Sequence, residues 1–261
     1  MIFKRAVAKL RAQDWMAIAI EIVIVIIGVF VGMQVSNWNA NRIERHEIDQ
    51  LLVQMRPELE RMRTADKLSL DYYATTSRFA RVALAGWSGD RGISDRDFVI
   101  AAYQASQIVG RQRDAPVATS VFGADEIRKI TDPALHAALL RMINFSYDAV
   151  AVDAMQTRYR EDVRETIPDD VQQVIRTECG DRALDNGLLV LPPTCAAGIP
   201  ADRAAIAASA LRARPELARE LQYHLSQSSI FENNTRFLDQ RTAALQRLLA
   251  ARFGPDVEDG R

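Results

Sequence analysis

Three histidines and several carboxylates are the side chains of this sequence best suited to metal or acid–base chemistry. His224 and Glu220 are four residues apart, so a helix places them on one face, where a metal ion could bind two ligands. A metal site needs a third ligand, and the sequence offers none at a workable spacing. His46 and His136 are far away in the chain, each on a predicted helix among polar neighbours. We therefore predict no metal and no cofactor.

Two pairs of acidic residues have the spacing of a general acid and a general base. Glu161 and Glu165 would share one helix face, and Asp125 and Glu126 are adjacent. On arginine-rich helices such carboxylates are far more often exposed ion-pair partners than catalysts. The sequence also lacks the GxSxG, HExxH, GxxxxGK and GxGxxG motifs. We predict no catalytic residues and a non-enzymatic protein, with a membrane-tethered hydrolase as a remote alternative.

The sequence contains two cysteines, Cys179 and Cys195. Two thiols are too few for a structural zinc site built from cysteine, whereas an oxidising compartment permits a pair to form one disulfide. The 15 residues between them would form a closed loop whose cross-link is worth about 3 kcal/mol. The alternative interpretation is two unrelated thiols.

Several aromatic side chains recur at helical spacing and could line a ligand pocket between helices. At such spacing they more often fill a hydrophobic core. A small-molecule sensor domain, of the kind that bacteria place in the periplasm, is therefore kept as the alternative function. The candidate pocket residues are Tyr72, Tyr73, Trp87, Tyr103, Tyr147 and Tyr159.

The element that must position everything else is the apolar run from Trp15 to Val35, which contains one ionisable residue, Glu21. Its 21 residues make a helix about 31 Å long, which matches a hydrocarbon core of about 30 Å. In lipid the backbone must satisfy its own hydrogen bonds, so a helix is required. Trp15 and Trp38 are predicted interfacial anchors. We assign residues 15–36 to a transmembrane helix.

The transmembrane helix is predicted to be an uncleaved signal anchor, because it is longer than a signal-peptide core and a poor cleavage site follows it. Residues 1–14 carry more basic side chains than the segment after the span, which places them in the cytoplasm. The soluble part then lies outside, in the periplasm of a Gram-negative bacterium, with the helix in the inner membrane. The basic residues are Lys4, Arg5, Lys9 and Arg11 before the span, and Arg42 and Arg45 after it.

One face of the predicted span is suited to helix association. Gly28 and Gly32 form a GxxxG step, and Glu21 lies seven residues before Gly28 on the same stripe. A carboxylate within a bilayer costs on the order of 2 to 3 kcal/mol near the centre, so Glu21 should be neutral, reach the interface or pair across a dimer. The face predicts a homodimer or a membrane or periplasmic partner, and a monomeric anchor is the alternative. With 33 basic and 34 acidic residues, the chain has no overall basic character for nucleic acid.

Apolar periodicity predicts an all-α soluble part with a bundle-like arrangement. Residues 37–67 form a juxtamembrane amphipathic helix that continues out of the membrane, residues 68–253 a helical domain, and residues 254–261 a disordered tail. In the juxtamembrane helix, packing on its own domain is favoured over an intermolecular coiled coil, because the repeat is short and contains Pro57. Its inward positions are Ile48, Leu52, Met55, Leu59 and Met62.

Local signals set the boundaries of the later helices. Ser94 or Asp95 can cap one helix, and Asp132 followed by Pro133 begins a long helix that should reach Thr166. Further helices are predicted from Asp169 to Cys179, from an Asp202 cap to Arg212, and from Pro215 to Phe253. Leu184 to Pro200 is the one extended stretch. The inward positions of the last helix are predicted to be Leu217, Leu221, Leu225, Ile230, Phe237, Leu245 and Leu249.

The block QDWMAIAIEIVIVIIGVFVGMQVSNWN resembles the start of an uncharacterised bacterial family of single-span membrane proteins. A tryptophan, an Ile/Val-rich span with an acidic residue, a GxxxG-like step and a closing Asn-Trp-Asn recur in that family. A second patch, from Gly123 to Leu140 with Ile-Thr-Asp-Pro-Ala-Leu, is also similar to it. The resemblance covers about a fifth of the chain. It implies a membrane anchor with a helical extracytoplasmic domain of unknown function, and no catalytic residue.

Overall fold

The computed structural model describes residues 15–110 and 124–254, with the backbone alone for residues 15–18, 124 and 154. Helices dominate these residues, which confirms the all-α prediction. The first helix, α1, runs without interruption from Trp15 to Trp87, and Pro57 lies inside it without ending it. The predicted cytoplasmic segment 1–14 and residues 255–261 of the predicted tail lie outside the described residues.

The chain divides into two compact units, one ending at Leu51 and the other beginning at Leu52. Seven further helices are described in the second unit. Their bounds are α2 Asp95–Ala105, α3 Ala124–Arg128, α4 Pro133–Ile143, α5 Arg158–Thr166, α6 Asp169–Cys179, α7 Ala201–Arg212 and α8 Glu216–Phe253.

Within the second unit, α1 and α8 pack side by side in opposite directions. The ring centroids of Tyr73 and Phe231 lie 4.7 Å apart, and Arg63 donates to Asp239 over 2.9 Å. Closer to the end of α8, Arg56 donates to the carbonyl oxygen of Gly254. The predicted packing of the juxtamembrane helix on its own domain is confirmed from Leu52 onwards.

The inner sides of both helices follow a heptad pattern, which keeps one stripe facing a partner helix. The five inward positions predicted for the juxtamembrane helix are all buried. Further along α1 the buried stripe continues through Asp66, Tyr73, Thr76, Ala80 and Ala83. On α8 it consists of Leu217, Leu221, His224, Ser228, Phe231, Thr235, Leu238, Thr242, Leu245 and Leu249.

The helix boundaries follow the predicted local signals at most positions. The Ser94 hydroxyl accepts a hydrogen bond from the backbone N–H of Asp97, and the Asp132 carboxylate accepts two from the first turn of α4. Gly180 ends α6, and Gly254 ends α8 with a φ of 85°, a conformation that glycine adopts without strain. The predicted caps at Ser94 and Asp132 and the predicted helix ends at Cys179 and Phe253 are confirmed.

The prediction of one long helix from Pro133 to Thr166 is wrong. Helix α4 ends at Ile143, two 3₁₀ turns at Tyr147–Val150 and Val152–Met155 follow, and α5 begins only at Arg158. Ala151, between the two turns, has extended backbone angles. Val150 and Met155 are buried, and both turns pack against α8. Tertiary packing therefore overrides the helical pattern of this segment.

Two further expectations are corrected. Asp202 does not cap α7, because Pro200 occupies the N-cap position and Asp202 lies in the first turn. Ile230 and Phe237 do not face inward on α8, since their side chains are 51% and 50% exposed. Leu225 is half-buried at the edge of the inner side. The polar residues Ser228, Thr235 and Thr242 occupy core positions that apolar spacing alone does not reveal.

A disulfide joins Cys179 at the end of α6 to Cys195 in an irregular segment, with a Cα to Cα distance of 5.4 Å. The stretch predicted to be extended contains little β-structure. Among the described residues, the strand pairing is one short antiparallel ladder of Arg182–Ala183 with Leu189–Val190. Leu191, Ala197 and Ile199 anchor the segment in the core. The main core lies between α2, α5, α6, α7 and the ends of α1 and α8.

Candidate functional site

The apolar part of α1 is a candidate site for contact with lipid and with another helix. An 18-residue window of this helix has a mean hydropathy of 2.3, and none of it is buried. Its length and composition are sufficient to cross a membrane. Large side chains such as Ile24 and Phe30 are at least 60% exposed. Surface of this kind is unfavourable in water and requires lipid or protein around it.

The structure places Glu21, Gly28 and Gly32 on this exposed helix. A Cβ atom added to either glycine would meet no atom within 4 Å beyond its own helix, so the stripe is open to a neighbouring helix. Trp38 is 60% exposed, and the guanidinium of Arg42 lies 5.9 Å from the centre of its ring. Trp15 belongs to the helix, and its side chain lies outside the described residues.

The acid–base candidates are not brought together. Glu161 and Glu165 are exposed on α5, and Asp125 on α3 forms an exposed ion pair with Arg128. Among residues 15–110 and 124–254, no three side chains of His, Cys, Asp or Glu are grouped closely enough to hold a metal ion. His46 is exposed and lies 3.1 Å from the side-chain nitrogen of Gln50.

His224 was expected among polar neighbours on a helix, but the residue is only 1% exposed and lies in the protein interior. Its Nδ1 atom lies 2.7 Å from the hydroxyl of Thr157, and its ring packs against Tyr159. Burial, and then the positive charge of Arg160, lower the pKa of His224 to about 4. This histidine is therefore neutral near pH 7 and belongs to the core.

The polar centre is a cluster at the junction of α1, α2 and α5, defined by Tyr72, Tyr103, Arg160, Arg164 and Asp181. The Tyr72 hydroxyl donates to the Asp181 carboxylate over 2.8 Å. The Arg164 guanidinium stacks 4.6 Å from the centre of the Tyr103 ring and donates to its hydroxyl. Arg160 donates to the carbonyl oxygen of Ser106. Side chains from distant parts of the sequence therefore meet in one polar cluster.

Four of the six aromatic residues that were candidates for a ligand pocket lie in or beside the polar centre. Tyr72 and Tyr103 belong to the polar centre, and the buried Tyr73 and Tyr159 lie beside it. Trp87 packs edge to face against Phe98 and against Tyr159, and Tyr147 packs edge to face against Phe145.

Electrostatics in the polar centre are unusual for a protein surface. Arg160 and Arg164 are half-buried, and in the described part of the chain neither forms an ion pair with a carboxylate. Desolvation, followed by the charge of Arg164, lowers the pKa of Arg160. Desolvation also raises the pKa of Tyr72 and of Asp181. Within the described residues, the two neighbouring guanidinium groups and the single carboxylate of this cluster leave a net positive site that can attract an anion.

A cavity of about 290 Å³ lies where α5 meets the start of α8. It is lined by Arg158, Tyr159, Glu216, Arg219, Glu220 and Tyr223. Desolvation, and then the neighbouring carboxylate of Asp162, raise the pKa of Glu220, while Asp162 is 3.4 Å from Arg214. Glu220 therefore interacts with the carboxyl group of Asp162, and it does not form the two-ligand metal site with His224 that the sequence spacing allowed.

Sequence reasoning missed Arg160, Arg164 and Asp181. The sequence feature that could have indicated the two arginines is their spacing, because residues four apart lie on one face of a helix. Glu161 and Glu165 have the same spacing on the exposed face of α5. Asp181 carried no signal, because its position depends on the disulfide-linked segment after α6. The chain matches no protein-family model, no curated protein and no solved structure.

Proposed function

We propose that this chain is a non-enzymatic, single-pass inner-membrane protein whose helical periplasmic domain associates with a second copy or with another envelope protein. The observation that supports the proposal is the fully exposed apolar segment of α1. Because α1 is helical from Trp15 to Trp87, the apolar segment leads into the soluble domain without a loop. The resemblance to single-span bacterial membrane proteins is consistent with this function.

The disulfide supports a periplasmic location of the domain. Disulfides persist in oxidising compartments and are rare where glutathione and thioredoxin keep thiols reduced. The link between Cys179 and Cys195 therefore agrees with the excess of basic residues before the span. Cytoplasmic residues 1–14 and a periplasmic C-terminal domain satisfy both observations.

Association within the membrane is assigned to the face that carries Glu21, Gly28 and Gly32. Small residues allow two helix backbones to approach closely, which supplies the van der Waals contact that drives association in lipid. Glu21 on the same stripe gains a hydrogen-bonding partner when a second helix covers it. The remaining sides of the segment carry bulky Ile, Val and Phe side chains, which are suited to contact with lipid.

The test is the double substitution Gly28→Leu and Gly32→Leu in the full chain. Association in native membranes, measured by energy transfer between two fluorescently labelled copies, is expected to fall about five-fold because the leucines separate the backbones. The matched control is Val23→Leu with Phe30→Leu, which changes the opposite side of the helix and should leave the transfer unchanged. Equal transfer in both double variants and in the wild type would remove this face from the proposal.

Recognition of a small anionic ligand by the polar centre is a second candidate function. The observation that favours it is the pair of half-buried arginines without a carboxylate partner in the described residues. Arginine binds carboxylate and phosphate groups through two parallel hydrogen bonds. Arg160 uses one donor group for Ser106 and retains others for a ligand.

This second function predicts that inorganic phosphate stabilises the protein against heat, because a ligand that binds only the folded state raises its stability. The full chain in detergent should melt at a higher temperature in sodium phosphate than in sodium chloride of equal ionic strength. Arg160→Met should abolish most of the difference, and Arg91→Met, which removes an exposed arginine elsewhere, should retain it. The same phosphate effect in all three proteins would indicate a general salt effect and exclude the site.

A further inference from the structure

Helix α8 has an outer face that is distinct from the rest of the protein surface. We define this outer face as the exposed residues between positions 222 and 240. Its members are Gln222, Tyr223, Ser226, Ser229, Ile230, Asn233, Arg236, Phe237 and Gln240. Arg236 is the one charged residue among these nine, in a chain of which 26% of the residues are charged. Depletion of charge, with aromatic and aliphatic residues in its place, is typical of the centre of a protein interface.

The apolar residues of the outer face are spaced for contact with another helix. Tyr223, Ile230 and Phe237 recur every seven residues, so they form one stripe about 21 Å long. Their side chains are 59%, 51% and 50% exposed. The stripe is separate from the buried heptad positions through which α8 contacts α1. Helix α8 therefore carries two heptad stripes, one used within the chain and one largely exposed, with the Arg241 guanidinium 4.1 Å from the centre of the Phe237 ring.

Neighbouring helices show that such a face is not a general feature of this surface. The exposed positions of α5 include Arg158, Glu161 and Glu165, and those of α6 include Asp169 and Asp170. Charged groups of this kind favour contact with water over burial against another protein, because burial removes their hydration. The outer face of α8 carries a single charge, that of Arg236, which forms an ion pair with Glu232 over 2.9 Å, so burial of this face is less costly.

We propose that the outer face of α8 is the extramembrane contact between two copies of this chain, a proposal that rests on the self-association proposed above. In a two-fold symmetric pair the same surface is used by both copies, so it must be complementary to itself. The apolar stripe of Tyr223, Ile230 and Phe237 meets this condition, because an apolar surface is complementary to a copy of itself. Anchoring in one membrane raises the local concentration of the two copies. A contact of modest area between one pair of helices is then sufficient to hold the two domains together.

Ile230 is the centre of the stripe, seven residues from Tyr223 and seven from Phe237. In a symmetric pair centred there, Ile230 contacts Ile230 of the other copy whether the two helices run parallel or antiparallel. Tyr223 contacts its own counterpart in the parallel arrangement and Phe237 in the antiparallel one. The arrangement can therefore be read from which pairs of positions come close together.

The test uses Ile230→Cys in the full chain, in native membranes, with a short bismaleimide cross-linker. The two native cysteines are bonded to each other, so the new thiol is the one that reacts. The yield of cross-linked dimer should be about five-fold higher than for Ile206→Cys, because tethering raises the local concentration of both thiols equally and only a contact brings them together. Ile206 is the matched control, since it is 52% exposed on α7 and lies outside the outer face. Tyr223→Cys alone, or mixed with Phe237→Cys, then separates the parallel from the antiparallel pair.

The outcomes distinguish this inference from the function on which it rests. If labelled copies associate in membranes and Ile230→Cys cross-links no better than Ile206→Cys, the α8 contact is wrong while self-association stands. If the labelled copies do not associate, self-association itself fails, and the α8 contact with it. Cross-linking of Ile230→Cys to a different protein, without dimer, also overturns the contact between copies.

Discussion

Replacing Cys179 and Cys195 together with alanine is expected to lower the free energy of unfolding of the unit that begins at Leu52 by about 3 kcal/mol. A cross-link that closes a loop of 15 residues lowers the conformational entropy of the unfolded chain, which destabilises the unfolded state by about 3 kcal/mol. The segment between the two cysteines has little regular structure that could hold it in place without the disulfide, because its antiparallel ladder is two residues long on each strand. Urea unfolding of the full chain in detergent, followed by circular dichroism, measures the difference.

Reduction provides the matched control for the cysteine substitutions. A reducing agent should lower the stability of the wild type by the same amount and leave the alanine variant unchanged. Both treatments should also loosen Asp181, two residues after Cys179, and so weaken its contact with Tyr72. If the reduced wild type and the alanine variant unfold at the wild-type urea concentration, the disulfide does not contribute to stability.

The sequence was sufficient for those features of the fold that short-range chemistry determines. Ser94, Asp132 and Gly180 act within one helical turn, and their effects on helix ends could be recognised without the tertiary structure. The apolar span was equally accessible, because length and hydropathy are properties of a continuous segment. The pairing of Cys179 with Cys195 followed from there being only two cysteines.

The remaining features depend on contacts between distant segments. The break after Ile143 contains no proline or glycine, and only packing of Val150 and Met155 against α8 shows why the helix stops. On α8, several of the buried heptad positions are polar, so apolar spacing alone identifies the two ends of the inner side and misplaces its middle. That spacing places Ile230 and Phe237 in the core for this reason.

The polar centre was out of reach of sequence reasoning for a related reason. Its tyrosines come from α1 and α2, its arginines from α5, and its acid from the segment after α6. Each of these side chains has an ordinary local setting, and their joint electrostatics arise only when the helices meet. Periodicity could place Tyr72 and Tyr103 on inward faces but could not reveal that Arg164 stacks on one of them.

Acidification is expected to destabilise the unit that begins at Leu52 through His224, and His224→Gln should remove that effect. In the unfolded chain the histidine has its ordinary pKa of 6.5, whereas in the folded chain the pKa is about 4. Between these values the unfolded state binds a proton that the folded state does not. Stability therefore falls as the pH falls from about 6.5 to about 4, by a total of about 3 kcal/mol from this group.

The comparison of wild type and variant isolates His224 from the carboxylates that titrate in the same range. Between about pH 7 and about pH 4.5, urea unfolding should show a loss of stability that is about 2 to 3 kcal/mol larger in the wild type than in His224→Gln. Glutamine can still form a hydrogen bond with Thr157, so the packing is conserved as far as possible. His46→Gln, at an exposed position on α1, should behave as the wild type. An equal loss of stability in all three proteins would mean that His224 has the same pKa in the folded and the unfolded chain. Burial beside Arg160 would then not lower that pKa.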